Sequence, residues 1–267
     1  MTPEQLKEIM PSMPLERARA LLPALVETCQ RFGITTRLQV AAFLAQTGME
    51  SGAYRYLEEL ATGEDYEGRA GNPQPGDGRR YKGRGWIQLT FRLNYRKAGR
   101  ELGLNLEENP EQVARYPAAA LVSGWFWRRG SASGDLNVYA DIGPQVVPPD
   151  SPVWARVAGG KDNFFRKWRR DVPPTGFDIC TYGVNGGFNG KDARDAIYAR
   201  ALQVLPENPL ADNPVFASAP AMAQIARVSP TGSQEQEDLS LLTLAFAASA
   251  SFLVFKIVKK LRRRSRS

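Results

Sequence analysis

Two glutamates nine residues apart, Glu50 and Glu59, precede the run Arg80-Tyr81-Lys82-Gly83-Arg84-Gly85-Trp86-Ile87-Gln88-Leu89-Thr90. A pair of carboxyl groups is the minimum equipment for hydrolysing a glycosidic bond: one protonates the leaving oxygen while the other activates water. The later run adds a backbone freed by two glycines, an aromatic surface and a hydroxyl, all of which a sugar cleft can use. The 267 residues contain no histidine, so triads and metal sites built on imidazole are excluded and acid/base work falls to carboxylates. Neither a metal nor an organic cofactor is expected.

Helical elements must position these groups. Thr2, followed by Pro3 and by Gln5 three residues on, reads as a cap for a short helix ending near Pro11. Leu15 through Arg31 carries apolar residues at helical spacing and stops at Gly33, with Pro23 marking a break or kink. Thr36 caps a further helix over Arg37–Gly48, which leaves Glu50 where a rigid element gives way to Ser51-Gly52. Residues 62–79, rich in Gly, Pro, Asn and Asp, read as a long surface loop. Helical pattern returns over Phe91–Leu102, Glu111–Arg115, Ala118–Arg129 and Lys191–Leu205, and long alternating strands are scarce. The aromatic set Trp125, Phe126 and Trp127 reads as core packing, not a sugar platform. The stretch Gly143–Thr175 is broken by prolines and holds the basic cluster Arg166-Lys167-Trp168-Arg169-Arg170.

The net charge of +7 invites a nucleic-acid reading, but its location argues against one for the main domain. Residues 256–267 hold seven bases and no acid, and the remaining bases and acids balance. Cys29 and Cys180 are far apart and lack metal-ligand spacing, so two free, buried thiols are expected. The N-terminus has no basic segment followed by an apolar run and is not read as a cleavable secretory signal.

From Pro206 to Asp238 the composition shifts to Pro, Ala, Ser, Asn and Gln without periodicity, the pattern of a flexible linker. Leu239–Phe255 carries no charge, and extension to Val258 past a snorkelling Lys256 gives a segment of about 30 Å, the thickness of a hydrocarbon core. The expected organisation is a catalytic domain over 1–205, a linker over 206–238, a transmembrane helix over 239–258 and a basic tail over 259–267.

Several separated motifs, in order, resemble the glycoside hydrolase family 19 chitinases, and more nearly the phage endolysins of that fold. They are Gly48-Met49-Glu50-Ser51-Gly52, Tyr56-Leu57-Glu58-Glu59, Arg80–Thr90, Asn94-Tyr95, Ala119–Trp127, Thr181–Gly187 and Asp192–Tyr198, so the resemblance spans roughly residues 35–205. It implies a mainly α-helical, lysozyme-like two-lobed domain with a sugar cleft, inverting chemistry and no metal. By position, Glu50 resembles the general acid, Glu59 the base, and Thr90 the hydroxyl residue that helps hold the attacking water. Gln88, Asn94, Asn185 and Arg194 match positions that bind sugar or orient the catalytic groups; Tyr81 and Arg84 are added from the same run, Arg84 as organiser of the cleft floor. An inverting pair stands roughly 6.5–9.5 Å apart, and its acid needs the drier site, so Glu50 is expected to be less solvated than Glu59. Glu58 would be the base if the register moved by one, and Glu67 is a further alternative.

Three departures from the family pattern stand out: Met49 replaces the usual His before the first glutamate, Trp86 replaces a smaller apolar residue and reads as an extra stacking surface, and 143–175 looks long. That stretch is either a basic flap for anionic cell-wall polymer or a virion partner, or a solvated loop. The small number of cysteines and the anchor favour the peptidoglycan glycan strand as substrate, cleaved at β-1,4 bonds by a bacteriolytic enzyme of phage origin. A chitinase acting on GlcNAc polymers, and a structural virion membrane protein with a degenerate glycan-binding domain, are the alternatives. The expected partners are peptidoglycan, a lipid bilayer through Leu239–Val258, anionic lipid or packaged nucleic acid at the basic tail, and virion proteins. The catalytic domain would lie outside and the tail inside, at a virion internal membrane or a bacterial inner membrane.

Overall fold

Three threonines set the helices that carry the site. Thr2, Thr36 and Thr175 each accept a hydrogen bond from the backbone N–H three residues on, and the side-chain oxygens of Gln5, Gln39 and Asp178 accept in return from the backbone N–H of the cap residue. The helices so begun are α1 (Pro3–Ile9), α3 (Arg37–Glu50) and α9 (Gly176–Asn185). Between the first two, α2 (Leu15–Arg31) runs without interruption across Pro23, because burial of Leu22, Leu25, Val26 and Cys29 on either side holds it together. Of the break or kink expected at that proline, the break is absent.

The computed structural model describes residues 1–211. The chain continues through α4 (Asp77–Arg80), α5 (Arg92–Leu102), α6 (Ala118–Trp125), α7 (Asn137–Ala140), α8 (Gly160–Lys167), α9 and α10 (Lys191–Val204). After α6 the helix widens into a π turn over Phe126–Gly130. Single 3₁₀ turns occur at Glu64–Tyr66, Pro110–Ala114 and Pro152–Arg156. Among the described residues β structure is limited to isolated bridges, so the mainly α expectation holds.

Helix α3 is the axis of the packing: it lies against α10, α9 and α7, and its residues from Gln39 to Gly48 are all buried. Trp125, Phe126 and Trp127 sit in the core, as expected. Both indoles are satisfied there, Trp125 donating to Glu101 and Trp127 to Asn137, each at 2.8 Å. Cys29 and Cys180 are free and buried, and burial pushes the Cys29 thiol up to about 12. Packing continues past the expected domain edge: Leu210 is buried and the N-terminal amine donates to the Pro209 carbonyl.

The segment 143–175, one of whose readings was a solvated loop, is a folded cap instead. It contributes α8 and a 3₁₀ turn, and buries Trp154, Phe164 and Trp168 together. The linker from residue 212, the membrane span 239–258 and the basic tail 259–267 lie outside the described residues. Among the described residues no helix is long and apolar enough to cross a membrane.

The loop 62–79 is pinned at its end by a bidentate pair between Arg92 of α5 and Asp77 of α4, with Nε–Oδ2 at 2.9 Å and Nη2–Oδ1 at 2.5 Å. Asp77 is 1% exposed. Removing the arginine would strand a buried carboxylate, and breaking such a pair from one side costs several kcal/mol. Arg92→Ala is therefore expected to lower the unfolding free energy by about 3 kcal/mol in urea titration. An unchanged midpoint would mean that the pair does not hold the loop.

Candidate active site

Glu50 is the last residue of α3, and its carboxylate meets a fully buried guanidinium. Arg194 of α10 donates through Nη2 to Glu50 Oε1, through Nη1 to Gln46 Oε1 at 2.5 Å, and through Nε to the Asn189 carbonyl at 3.2 Å. Gln46 lies one helical turn before Glu50 on the same face of α3. Its amide in turn donates to Thr181 Oγ1 of α9 at 2.8 Å. Three helices therefore fix one carboxylate. Met49 occupies the place of the missing histidine, with its methyl against Gly190, where a Cβ would lie 2.6 Å from Met49 Cε. Gly190 also takes φ of +69° as the cap of α10, a backbone conformation that favours glycine.

Glu59 is held differently, by backbone. Its N–H donates to the Gly83 carbonyl at 2.8 Å, and the Gly83 N–H returns to Glu59 Oε2 at 3.1 Å. A short ribbon results: Gly85 N–H pairs with Leu57, and Arg84 pairs with Leu89 in both directions. A side chain at Gly83 would come within 2.9 Å of Gln88 Oε1 and 3.3 Å of Glu59 Oε2, so the absence of a Cβ lets this amide reach the carboxylate. The second carboxylate oxygen, Oε1, accepts from the Tyr66 hydroxyl at 3.1 Å. Burial, then the Glu59 charge, pushes the Tyr66 phenol well above its ordinary range, which keeps it a proton donor. A cavity of about 300 Å³ opens here, lined by Glu59, Thr62, Glu64 and Tyr66, with Leu60 as an exposed apolar lip.

Non-glycine residues with positive φ gather around both glutamates. Ala53 and Tyr54 make the bend after Glu50, while Gln88 and Phe91 flank Leu89-Thr90. The bend is held by Thr47 and Tyr54 sharing a hydroxyl bond of 2.7 Å, and Tyr54 packs edge-on against Trp86 at 5.3 Å. That ring pair ties the end of α3 to the 80–90 run.

The other sequence-predicted residues divide between these two centres and the core. Gln88 shares the space beside Gly83 with Glu59; its amide donates to Gly85 and Tyr56, and its buried Oε1 has no protein partner. Thr90 is buried, and Asn94 of α5 donates to its carbonyl at 2.9 Å. Asn185, at the end of α9, accepts from the Asn189 N–H at 3.1 Å and so shapes the turn leading to Arg194. Arg84 reaches Arg80 and Tyr95 through Nη1 and Glu58 through Nη2, so it organises the neighbour of Glu59. Tyr81 is not brought to the site: its ring is fully buried and its hydroxyl donates to the Glu107 carbonyl at 2.8 Å. Trp86, expected as a stacking surface, is 2% exposed and serves the core.

The alternative bases are occupied elsewhere. The Glu58 side chain is 42% exposed and pairs with Lys82 at 2.9 Å and Arg84 at 3.4 Å. Burial alone would raise its carboxyl, but the Lys82 hydrogen bond and the Arg84 and Lys82 charges outweigh that and hold it below the ordinary value. Glu67 accepts from the N–H groups of Gly76 and Gly78 and closes the loop on itself. The expected contrast in solvation is not seen, since Glu59 is 5% exposed and the Glu50 side chain 9%. The ribbon draws Glu59 onto an amide, and the buried Arg194 covers Glu50 at the end of its helix. Sequence reading missed Tyr66, Gln46 and Asn189; an aromatic within a Gly- and Asp-rich loop was the available signal for Tyr66.

The glycoside hydrolase family 19 model, described as chitinase class I, matches residues 27–143, which include Glu50, Glu59 and Thr90. An endochitinase of Arabidopsis thaliana is 42% identical over 99 residues, 36% of this chain and 34% of the relative. An endochitinase of Brassica napus is 30% identical over 196 residues, 66% of this chain and 56% of the relative. The chain thus spans between about a third and just over half the length of these curated relatives. Among solved structures, a bacterial family 19 chitinase is similar at 26% identity with a TM-score of 0.49, covering 78% of this chain and 95% of that one. Residues 27–143, the segment that holds Glu50, Glu59 and Thr90, are thus similar to glycoside hydrolase family 19.

Proposed function

We propose that this chain hydrolyses β-1,4 bonds between N-acetylated amino sugars, with chitin-type GlcNAc polymers as the substrate class that its relatives favour. The observation that carries this reading is the pair of differently built carboxylate sites: Glu50 on a buried arginine, and Glu59 on a backbone amide and a phenol beside a cavity. In this reading Glu50 protonates the leaving oxygen and Glu59 draws a proton from water, with Thr90 near that water. Gln88, whose buried Oε1 lacks a protein partner, would accept a hydrogen bond from the sugar or the water. The apolar lip at Leu60 suits the methyl of an acetamido group. Asn94, Asn185, Arg194 and Arg84 serve as supports that hold Thr90, the 186–190 turn, Glu50 and Glu58. A lysozyme-like two-lobed arrangement belongs to the same proposal.

A second reading takes the peptidoglycan glycan strand as substrate. It is supported by Cys29 and Cys180 remaining unpaired thiols, where secreted plant-type enzymes are stapled by disulfides. With it go a membrane anchor at 239–258, the basic tail inside, a lipid or nucleic-acid partner for that tail, and a virion or bacterial inner membrane. These elements remain part of the proposal because they rest on the sequence of the tail.

Two measurements test the scheme. Glu50→Gln and Glu59→Gln are each expected to lower the turnover of GlcNAc oligomers by at least about 100-fold while circular dichroism still shows the folded helical protein, since positioned acid/base groups contribute about that much or more. Glu50→Gln should also unfold at a lower temperature, because it leaves the buried Arg194 without its counter-charge. Glu58→Gln and Glu67→Gln should keep most of the activity; equal loss in Glu58→Gln would move the base by one residue. Mass spectrometry of digests of chitin and of purified peptidoglycan separates the substrates. Chitin oligomers alone support the first reading, muropeptides with a new reducing end support the second, and no product from either defeats both.

A further inference from the structure

The 143–175 cap lies against the 186–190 turn, and that turn holds the arginine on Glu50. Phe188 stands at the tip of the turn, wedged edge-on between two rings of the cap: Phe164 at 5.1 Å and Trp168 at 4.9 Å between centroids. Trp154 backs Phe164 at 5.1 Å from the other side. One polar bond accompanies the rings, from Lys167 Nζ to the Gly186 carbonyl at 2.6 Å. The next residue along the turn, Asn189, gives its carbonyl to Arg194 Nε, and Arg194 gives Nη2 to Glu50. Each link is a direct contact, and Arg194 is fully buried, so it has no water to replace a displaced partner.

We propose that the 143–175 cap is a positioning device for the Glu50 carboxylate, acting through Phe188, Asn189 and Arg194. It rests on the reading of Glu50 as a catalytic carboxylate, and extends it to a segment that touches neither glutamate. Packed aromatic rings resist displacement because close-packed interiors transmit small shifts instead of absorbing them. A shift of the Asn189 carbonyl would rotate the guanidinium, and a carboxylate displaced by a fraction of an ångström is poorly aimed at a leaving oxygen. Phe188 is therefore a positioning residue, not a catalytic one.

The test uses the full-length protein with Phe188→Leu, which keeps an apolar side chain, and Phe188→Tyr, which keeps the ring. Exchange of the Arg194 Nε–H, followed by nitrogen-15 NMR, reports the turn independently of activity, with the Arg92 Nε–H on Asp77 as internal reference. Phe188→Leu is expected to speed Arg194 exchange at least tenfold, leave Arg92 unchanged, and lower kcat about tenfold while KM stays within a factor of two. Phe188→Tyr should restore both. In an Arg194→Ala background, Phe188→Leu should have no further effect on kcat, as expected for residues acting in series. Unchanged Arg194 exchange in Phe188→Leu, or additive losses in the double variant, would overturn the proposal. Loss of activity in Phe188→Leu with full activity in Glu50→Gln would instead reject the role of Glu50, while the exchange result still tests the positioning link.

Discussion

A carboxylate removed from water must be given donors, because an ion buried without them costs several kcal/mol. Glu59, at 5% exposure, imposes that demand on everything around it. The Gly83 amide can answer it only because no side chain stands between them, and that glycine is held in place by the ribbon that joins 57–59 to 83–85 and 89. Tyr66 supplies the second donor, and its ring is wedged against Phe91 at 5.5 Å in a small cluster apart from the main core. Phe91 follows Thr90 directly and caps α5 at φ of +70°, so the donor to Glu59 and the neighbour of Thr90 are packed as one unit. The strained backbone at Gln88 and Phe91 is a consequence of closing this unit tightly.

Glu50 shows the opposite solution. Its environment is assembled from side chains on three helices and depends on long-range packing rather than on a local ribbon. Gln46, Thr181 and Arg194 form a hydrogen-bonded series through the interior, each member buried, and each oxygen or nitrogen in it serves a neighbour. Such a network is rigid when complete and costly when one member is lost. The Tyr54–Trp86 contact then fixes this helical half against the ribbon half. Two carboxylates in different settings are what an acid and a base need, since the same side chain must perform two tasks at one pH.

Much of this was legible in the sequence, and the failures have identifiable causes. The start of α3 was readable from the Thr36–Gln39 box, and its end from Ser51-Gly52, which is why Glu50 could be placed at a helix terminus. The capped helix at Thr175 was missed because the prolines before it and the Asn-Gly-Gly after it obscured ten helical residues. Prolines also concealed α8, although Phe164 and Trp168 at i and i+4 were an available sign of a buried face. Tyr81 and Trp86 were read as cleft surfaces because an aromatic near a candidate site fits either role on sequence alone. The Glu107 carbonyl decided the first and the Tyr54 ring the second, and both partners are distant in sequence. The burial of Glu59 was hidden for the same reason, since nothing local to it announces that Gly83 will approach.

The geometry of extended chain gives Glu58 and Glu59 different surroundings. Successive side chains of a ribbon point to opposite faces, so adjacent glutamates cannot share an environment. Glu58, bridged across from Arg84, turns to the cationic face and meets Lys82 and Arg84. Glu59 turns the other way, toward Tyr66, the Gly83 amide and the cavity. The pairing that buries Glu59 is also the pairing that removes Glu58. A shift of the ribbon by one residue would exchange the two, and it would bring the side chain of Lys82 or Arg84 to the place where Gly83 leaves room for Gln88. The glycine thus fixes the register as well as the hydrogen bond, and the identity of the buried carboxylate follows from a side chain that is absent.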